Sequence, residues 1–336
     1  MNVIGIDPGS RMWNVALMQD GLVVSEDCVP SDVVKENPWK ILELIPQDID
    51  LVSAPSGYGL PLKPVSEITD DDLFMITLKR EDDVKKYLGL TGVLRLMLEN
   101  SIPAYILPGV KHLPSVAGYK KVNKIDMGTA DKVCSTAYAL SGYKNYEEAS
   151  FLLAEIGSVF TAYILVLGGK IVDGIGGSCS SFGTGSGGSI DAEIARLHRL
   201  EKDFDFVFSG GFDAVSKRLG ADIAERVLVE SAAGDIISLI FSNPEIFSIT
   251  GKFPVILSGS RSSDGKFLTP FIKKIKNFEN YLEIKFNIVQ QDNASGAAAA
   301  GSAMIADGLT GGVFEELVDS FEIKKSSGSV LDFIAY

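Results

Sequence analysis

The feature that most constrains this chain is that it repeats itself. Near its amino terminus Val3-Ile4-Gly5-Ile6 reads as a short buried strand and Asp7-Pro8-Gly9-Ser10 as a turn. Trp13-Asn14-Val15-Ala16-Leu17 is a second strand, Asp20-Gly21 a two-residue hairpin turn and Leu22-Val23-Val24 a third strand. Further on, Ala154-Glu155-Ile156-Gly157-Ser158 is followed by Thr161-Ala162-Tyr163-Ile164-Leu165 and by Gly168-Gly169-Lys170-Ile171-Val172. Asp7 and Glu155, Gly9 and Gly157, Ser10 and Ser158, and Gly21 and Gly169 are each 148 positions apart. Internal duplication fixes architecture before any other signal, and here it predicts two similar domains.

A carboxylate at the tip of a buried strand, followed at once by a Gly-Ser turn, suits phosphate. The turn amides can approach phosphate oxygens, and Asp7 can hold a divalent cation or its water shell. One such stretch alone is equally an ordinary Asp-Pro-Gly hairpin, since short glycine motifs match by chance. Two in one register favour the phosphate reading.

That paired pattern resembles the superfamily of sugar kinases, acetate kinase, the seventy-kilodalton heat-shock chaperone and actin, in which the two hairpins are the phosphate-1 and phosphate-2 motifs. The resemblance implies an α/β fold of two ribonuclease H-like domains with ATP in the cleft between them. The polar stretch 141–148, with Gly142, is the expected boundary, giving domains over 1–145 and 146–336.

The bulk numbers fit that plan. At 336 residues each half is long enough for its own core. A net charge of -13 argues against a nucleic-acid groove, whose affinity needs clustered Lys and Arg. The short basic runs Lys120-Lys121 and Lys273-Lys274 read as solvated faces. Cys28, Cys134 and Cys179 lack the paired spacing of a zinc or iron-sulfur site and suit a reducing cytoplasm. The chain begins directly in a strand without a basic leader, and its longest apolar run is too short for a bilayer. A cytoplasmic protein with a small-molecule substrate is therefore expected, with a homodimer as the further possibility. His112 and His198 do not share a helix face as ligands, and no Gly-x-Ser-x-Gly elbow is present.

In the first half, residues 30–45 read as a short helix broken at Asn37-Pro38, and 50–54 as a buried strand. The strand runs into Pro55-Ser56-Gly57-Tyr58-Gly59-Leu60-Pro61, a loop at its carboxyl end. Ligands of open α/β sheets sit at that end, although a plain surface connection explains the loop equally well. Residues 70–80 and 82–100 carry helical apolar spacing. Gly128-Thr129 precedes a small-residue helix, which places Asp126 and Asp131 near a helix N-terminus. Either acid is a candidate general base or second metal carboxylate, and Thr129 or Asp131 is equally a simple cap.

In the second half, residues 174–188 hold seven Gly and four Ser among fifteen, so the backbone there must bend sharply or approach a ligand. Ser189-Ile190-Asp191-Ala192-Glu193 opens a helix behind it. This tract is similar to the region of acetate and butyrate kinases where a Thr-Arg-Ser-Gly-Asp run opens a helix. The matching run here is Gly183-Thr184-Gly185-Ser186-Gly187-Gly188, and Gly185 stands where the arginine would be. A strand is expected at Phe206-Val207-Phe208, leading into Ser209-Gly210-Gly211, and a long helix over 222–241. Val255-Ile256-Leu257-Ser258-Gly259-Ser260 resembles the superfamily's adenosine strand, with Ser209-Gly210-Gly211 as the competitor for that role. The Ala-Gly-Ser run 294–303 resembles its second interdomain helix, which packs unusually close to its neighbour.

In overall pattern the chain is most similar to an uncharacterised archaeal family labelled predicted butyrate kinase. The resemblance implies ATP-dependent phosphoryl transfer to a small acceptor, with a short-chain carboxylate as the candidate. Asp7 would hold Mg²⁺, with Asp126 or Asp131 beside it. Gly9, Ser10, Gly157 and Ser158 would cradle phosphates, with Gly183, Thr184 and Gly185 near them. Glu155 would organise metal or water, and Ser258, Gly259 and Ser260 would lie along the nucleoside. An ATP-hydrolysing switch, or a nucleotide-binding protein without turnover, are the rival readings.

Overall fold

The structure is a computed structural model that describes residues 1–79, 88–198 and 207–335. The chain forms two compact units. One comprises Met1–Ala149, Gly168–Val172 and Gly296–Tyr336, the other Ser150–Leu167 and Asp173–Ser295. A single cut after residue 145 therefore does not divide the molecule, because the carboxyl-terminal segment returns to the first unit.

The first unit begins with β1 (Asn2–Asp7), β2 (Met12–Gln19) and β3 (Leu22–Pro30). Helices α1 (Ser31–Glu36) and α2 (Trp39–Leu42) flank Asn37 and Pro38, the break expected there. Strands β4 (Leu51–Ser53) and β5 (Lys63–Pro64) follow, then α3 (Asp70–Thr77), α4 (Leu88–Glu99), β6 (Ala104–Ile106) and α5 (Ala130–Ser141). Thr69 and Asp72 close a capping box on α3, and the helix stops at Leu78, which is left-handed. The expected helix 82–100 is seen from residue 88, and residues 80–87 lie outside the described ones.

The second unit is built from β7 (Phe151–Ile156), β8 (Thr161–Leu167), the latter half of β9 (Lys170–Ile175, whose first three residues fall in the first unit), α6 (Ala192–His198) and α7 (Phe212–Leu219). Then come α8 (Ala221–Phe241), β10 (Lys252–Ser258), α9 (Gly265–Leu282) and β11 (Lys285–Gln290). Helices α10 (Ala297–Leu309) and α11 (Glu315–Ser320) belong to the first unit. The strand expected at 206–208 is not one: 207–208 form a turn and Gly210 bridges Ser186, while Phe206 lies outside the described residues. Gly210 has φ +89°, which ends any extended run there. Among the described residues no helix is long and apolar enough to cross a membrane.

The duplication is visible in the topology. One sheet runs β3-β2-β1-β4-β6-β5 and the other β9-β8-β7-β10-β11. In each, the hairpin pair (β1 with β2, β7 with β8) is antiparallel, and the two strands beyond its first member (β4 and β6, β10 and β11) add in parallel. Asp7 pairs with Asn14 and Glu155 with Ala162, so the offset of 148 holds through both hairpin registers. Asp20 and Gly21 have φ of 48° and 80°, and Gly168 and Gly169 have 56° and 72°. Both second turns therefore carry two successive positive-φ residues, as a type I′ hairpin requires.

Small residues explain why the carboxyl-terminal segment joins the first unit. A Cβ on Gly5 of β1 would stand 2.2 Å from the Ala299 carbonyl oxygen, and one on Gly301 would stand 1.9 Å from the Cys134 carbonyl oxygen. Backbone thus meets backbone where α10 crosses β1 and α5. The larger core of this unit, including Ile4, Val52, Leu94 and Met97, is built from the strands and from α4. In the second unit Phe151, Tyr163, Phe253, Phe267 and Phe271 are fully buried.

Candidate functional site

In the first unit Asp7 ends β1 and is nearly buried, because the strand that carries it is central in its sheet. The Asn14 amide, opposite it in the hairpin register, donates to Asp7 Oδ2 at 3.2 Å. Gly9 follows in a turn so tight that a Cβ would lie 2.3 Å from the Met12 carbonyl oxygen and 3.7 Å from Asp7 Oδ2. The Ser31 hydroxyl donates to the Gly9 carbonyl at 2.8 Å. Ser10 is exposed at the turn.

The second unit repeats this arrangement. A Cβ on Gly157 would lie 2.8 Å from the Phe160 carbonyl oxygen and 3.9 Å from Glu155 Oε1. The Thr184 hydroxyl donates to the Gly157 carbonyl at 2.9 Å. Among the described residues neither Ser10 nor Ser158 hydrogen-bonds within the chain. In both turns the glycine carbonyl is held from behind, and the serine that follows is left available to an external acceptor.

Two loops of the first unit meet at the start of α5. The first amide of α5, that of Ala130, donates to Gly57 of the loop after β4, and Val110 donates to Gly128. Asp126 is buried, and its Oδ1 accepts from the Gly128 amide at 3.0 Å, which shapes the approach to α5. Asp131 accepts from the Thr129 hydroxyl, and its other oxygen lies 2.6 Å from Lys132 Nζ. Burial works to raise the Asp131 pKa, but Lys132 and Thr129 outweigh it and hold the carboxyl below its usual range. The Cys134 thiol, on the next turn of α5, is pushed far up, chiefly by burial and then by the charges of Asp131 and Asp7. Both carboxylates therefore act on one buried point. Behind it the Ser302 hydroxyl of α10 donates to Ser53 of β4 at 2.6 Å.

In the second unit β10 lies parallel to β7, with Ser258 paired to Glu155. Gly259 has φ +86°, and a Cβ there would stand 2.6 Å from the Ile156 carbonyl oxygen. Ser258 is buried with its hydroxyl on the Ala294 carbonyl, Ser260 is exposed, and the Arg261 amide donates to Ile156. The Ser-Gly-Ser turn is thus brought against the end of the strand that carries Glu155. Its competitor lies near the same hairpin: Phe208 meets Phe160 edge-on at 5.2 Å, and the Gly187 amide donates to Ser209.

The glycine tract frames this hairpin. The Gly185 and Ser186 amides both donate to Val159, and the Gly183 amide donates to Ser186. The carbonyls of Gly183, Thr184 and Gly185 accept from the amides of Phe212, Asp213 and Gly211 at the start of α7. Gly183 and Gly185 thus use their amides inside the chain, and Thr184 uses its hydroxyl on the turn. Asp235, buried in α8, accepts from both the amide (2.9 Å) and the hydroxyl (2.5 Å) of Ser181 and ties the tract to that helix.

Some participants were not picked out from the sequence. Asn14 could have been found by pairing the first hairpin across its turn, and Lys132 by its position next to Asp131. Ser31 carries no local signal. Lys121, read as solvated, is buried with its ammonium on the Leu113 carbonyl at 3.0 Å. It turns inward because Val330, Phe333 and Ala335 of the carboxyl-terminal tail pair with Lys111 and Asn123, covering this segment.

The described residues hold no cluster of three or more His, Cys, Asp or Glu that would enclose a metal by themselves. Mg²⁺ needs no such cluster, since it keeps several waters and takes one or two carboxylates besides phosphate. A strand-end acid beside an open Gly-Ser turn fits that requirement.

Two solved structures share the fold. Acetate kinase from Entamoeba histolytica aligns over 88% of this chain and 97% of its own, at 12% identity and a TM-score of 0.57. A propionate kinase from Francisella tularensis subsp. tularensis SCHU S4 aligns over 89% of this chain and 98% of its own, at 13% identity and a TM-score of 0.51. Comparison with curated protein sequences gives no match. Residues 5–336 match the family described as "Protein of unknown function (DUF1464)", and the chain belongs to that family.

Proposed function

We propose that this protein is an ATP-dependent phosphotransferase whose acceptor is a small carboxylate. The observation that carries the reading is the pair of acid-Gly-Ser turns, alike in register, in backbone closeness and in the hydroxyl behind each glycine carbonyl. The solved neighbours that share the fold are named for acetate and propionate, which supports a short acid such as butyrate or acetate as the first acceptor to test.

In this reading each half is a ribonuclease H-like domain, and both turns serve the phosphates of one ATP. Ser10 and Ser158, with the neighbouring amides, donate to phosphate oxygens, and Ser258, Gly259 and Ser260 run along the nucleoside. Asp7 holds Mg²⁺ or its water, and Glu155 orders water on the opposite side. The bound cation supplies charge neutralisation at the phosphates. A carboxylate oxygen of the acceptor forms a bond to the γ-phosphorus as the bond to the ADP oxygen breaks, and no proton has to move. That requirement suits Asp131, whose pairing with Lys132 makes it a weak proton acceptor. Catalysis is then mostly positioning and charge neutralisation.

The test is ADP formation by the purified protein with ATP and MgCl₂, across a panel of short carboxylates and sugars. A carboxylate that accelerates ADP formation supports the proposal, whereas a response to sugars alone would replace the acceptor class. Asp7→Ala should abolish turnover, and an unchanged rate would remove the metal assignment. A second reading, slow hydrolysis without any acceptor, is favoured by Gly185 standing in place of an arginine, and ADP formation indifferent to every added compound would select it.

A further inference from the structure

A cavity of about 440 Å³ lies at the end of the second sheet remote from the turns. Lys252 at the start of β10 and Lys285 at the start of β11 line it, with Lys276 and Glu279 of α9, Asn287, and the half-buried Ile272 and Ile288. Lys252 and Lys285 are register partners on adjacent parallel strands. Strand spacing of about 4.8 Å sets their stems side by side, an unfavourable placement for like charges. Lys276 adds a third ammonium. Glu279 offsets one charge: Lys285 Nζ lies 3.6 Å from its Oε2, and its Oε1 accepts from the Phe286 amide at 2.8 Å. The lining therefore carries two positive charges in excess, in a chain whose net charge is -13.

We propose that this cavity binds a small phosphomonoester, with the phosphoryl group among Lys252, Lys276 and Lys285 and its organic part against Ile272 and Ile288. A phosphomonoester dianion matches the excess charge. Its tetrahedral oxygens accept from several ammoniums at once, and the Asn287 amide supplies one more donor. The apolar side of the cavity, Ile272 and Ile288, distinguishes an organic phosphate from the bare ion. Lys252 and Ser258 are the two ends of β10, so this cavity and the Ser-Gly-Ser turn are about 20 Å apart along the strand. The site is thus separate from the proposed nucleotide contacts and independent of that reading, and a ligand here would act as an effector.

The experiment is calorimetric titration of phenyl phosphate, inorganic phosphate and citrate at fixed ionic strength, into the wild type, the double variant Lys252→Gln/Lys285→Gln, and Asp7→Ala. The expected result is saturable binding in the order phenyl phosphate, inorganic phosphate, citrate. Affinity should fall about tenfold or more in the double variant and be kept in Asp7→Ala. Binding that is absent, or unchanged in the double variant, or lost in Asp7→Ala instead, overturns the site, and tighter binding of citrate overturns the ligand class. In anion-free buffer the double variant should melt no lower than the wild type, because removing two like charges relieves repulsion. A lower melting temperature would mark the lysines as structural and also overturn the proposal.

Discussion

The turn after β1 and the turn after β7 are two versions of one device, and they differ in what surrounds the acid. Asp7 has an amide opposite it, from Asn14, whereas Glu155 has Ala162 opposite and Ser258 beside it. The strands beneath differ as well. Gly5 of β1 admits the backbone of α10, while its counterpart 148 positions later is Leu153, a fully buried side chain. The first copy thus sits on a close-packed small-residue layer, and the second sits in a bulky core framed by the glycine tract. Duplication preserved the turn and let the support diverge, as expected if the turn is what function needs.

The largest effect should separate the two acids. Asp7→Asn is expected to lower acceptor-dependent ADP formation by about 10²–10³, the scale of losing one preorganised electrostatic group. Glu155→Gln should cost about tenfold, since an acid that orders water contributes less than one that holds the cation. Equal losses would erase the functional asymmetry between the copies.

The two units should also respond to acid with opposite signs. Burial lowers the pKa of His112 from 6.5 to about 4, and its Nδ1 accepts from the Gly109 amide while Nε2 has no partner among the described residues. The unfolded chain takes up this proton first as pH falls. Stability present above pH 6.5 is therefore lost on the way down to about 4, by roughly 3 kcal/mol in full. Burial raises the pKa of Asp235, despite the two bonds from Ser181. Its contribution is present below the unfolded value of 3.8 and is lost as pH rises through the folded one. Trp13 and Trp39 are the only tryptophans and both lie in the first unit, so their fluorescence in urea titrations follows that unit. His112→Gln should flatten its pH dependence between 6.5 and 4, whereas Asp235→Asn should leave the fluorescence profile unchanged. A fluorescence profile already flat in the wild type would remove the assignment to His112.

Packing gives the next contrast. Gly5→Val places atoms into the α10 backbone and should cost about 1–3 kcal/mol or more by overpacking. Leu153→Val, the corresponding shrinkage in the second unit, should cost about 1 kcal/mol. Chemical denaturation read by circular dichroism measures both, and a tolerated valine at Gly5 would contradict the close approach of α10. The smallest effect tests likeness: Ser31→Ala and Thr184→Ala each remove a hydroxyl from a turn carbonyl and should each cost about 1 kcal/mol, with Thr184→Ser close to wild type. Unequal costs would show that the two glycine carbonyls are not equivalently supported.

Much of this was legible because the signals are local. A hairpin register follows from its turn, so Asp7, Gly9 and Ser10 and their counterparts could be placed by counting. The break at Asn37-Pro38 and the long helix before β10 follow from proline chemistry and apolar run length in the same way. Elements that depend on distant backbone were not legible. The glycine tract reads as a sharp bend or a ligand approach, and the partners of Gly183, Thr184, Gly185 and Ser186 at Val159 and the start of α7 are ones that only folding brings near. Lys121 looks like a surface charge until the chain's own tail covers it.

The sequence by itself determined the duplication, the two acid-Gly-Ser turns and the α/β class, because strand alternation and turn chemistry act over a few residues. Tertiary structure alone decided that residues 296–336 belong with the first unit and that Thr184 and Ser31 hold the turns from behind. Those outcomes depend on which backbones can approach most closely, and steric fit between remote segments leaves no periodic trace in the order of residues.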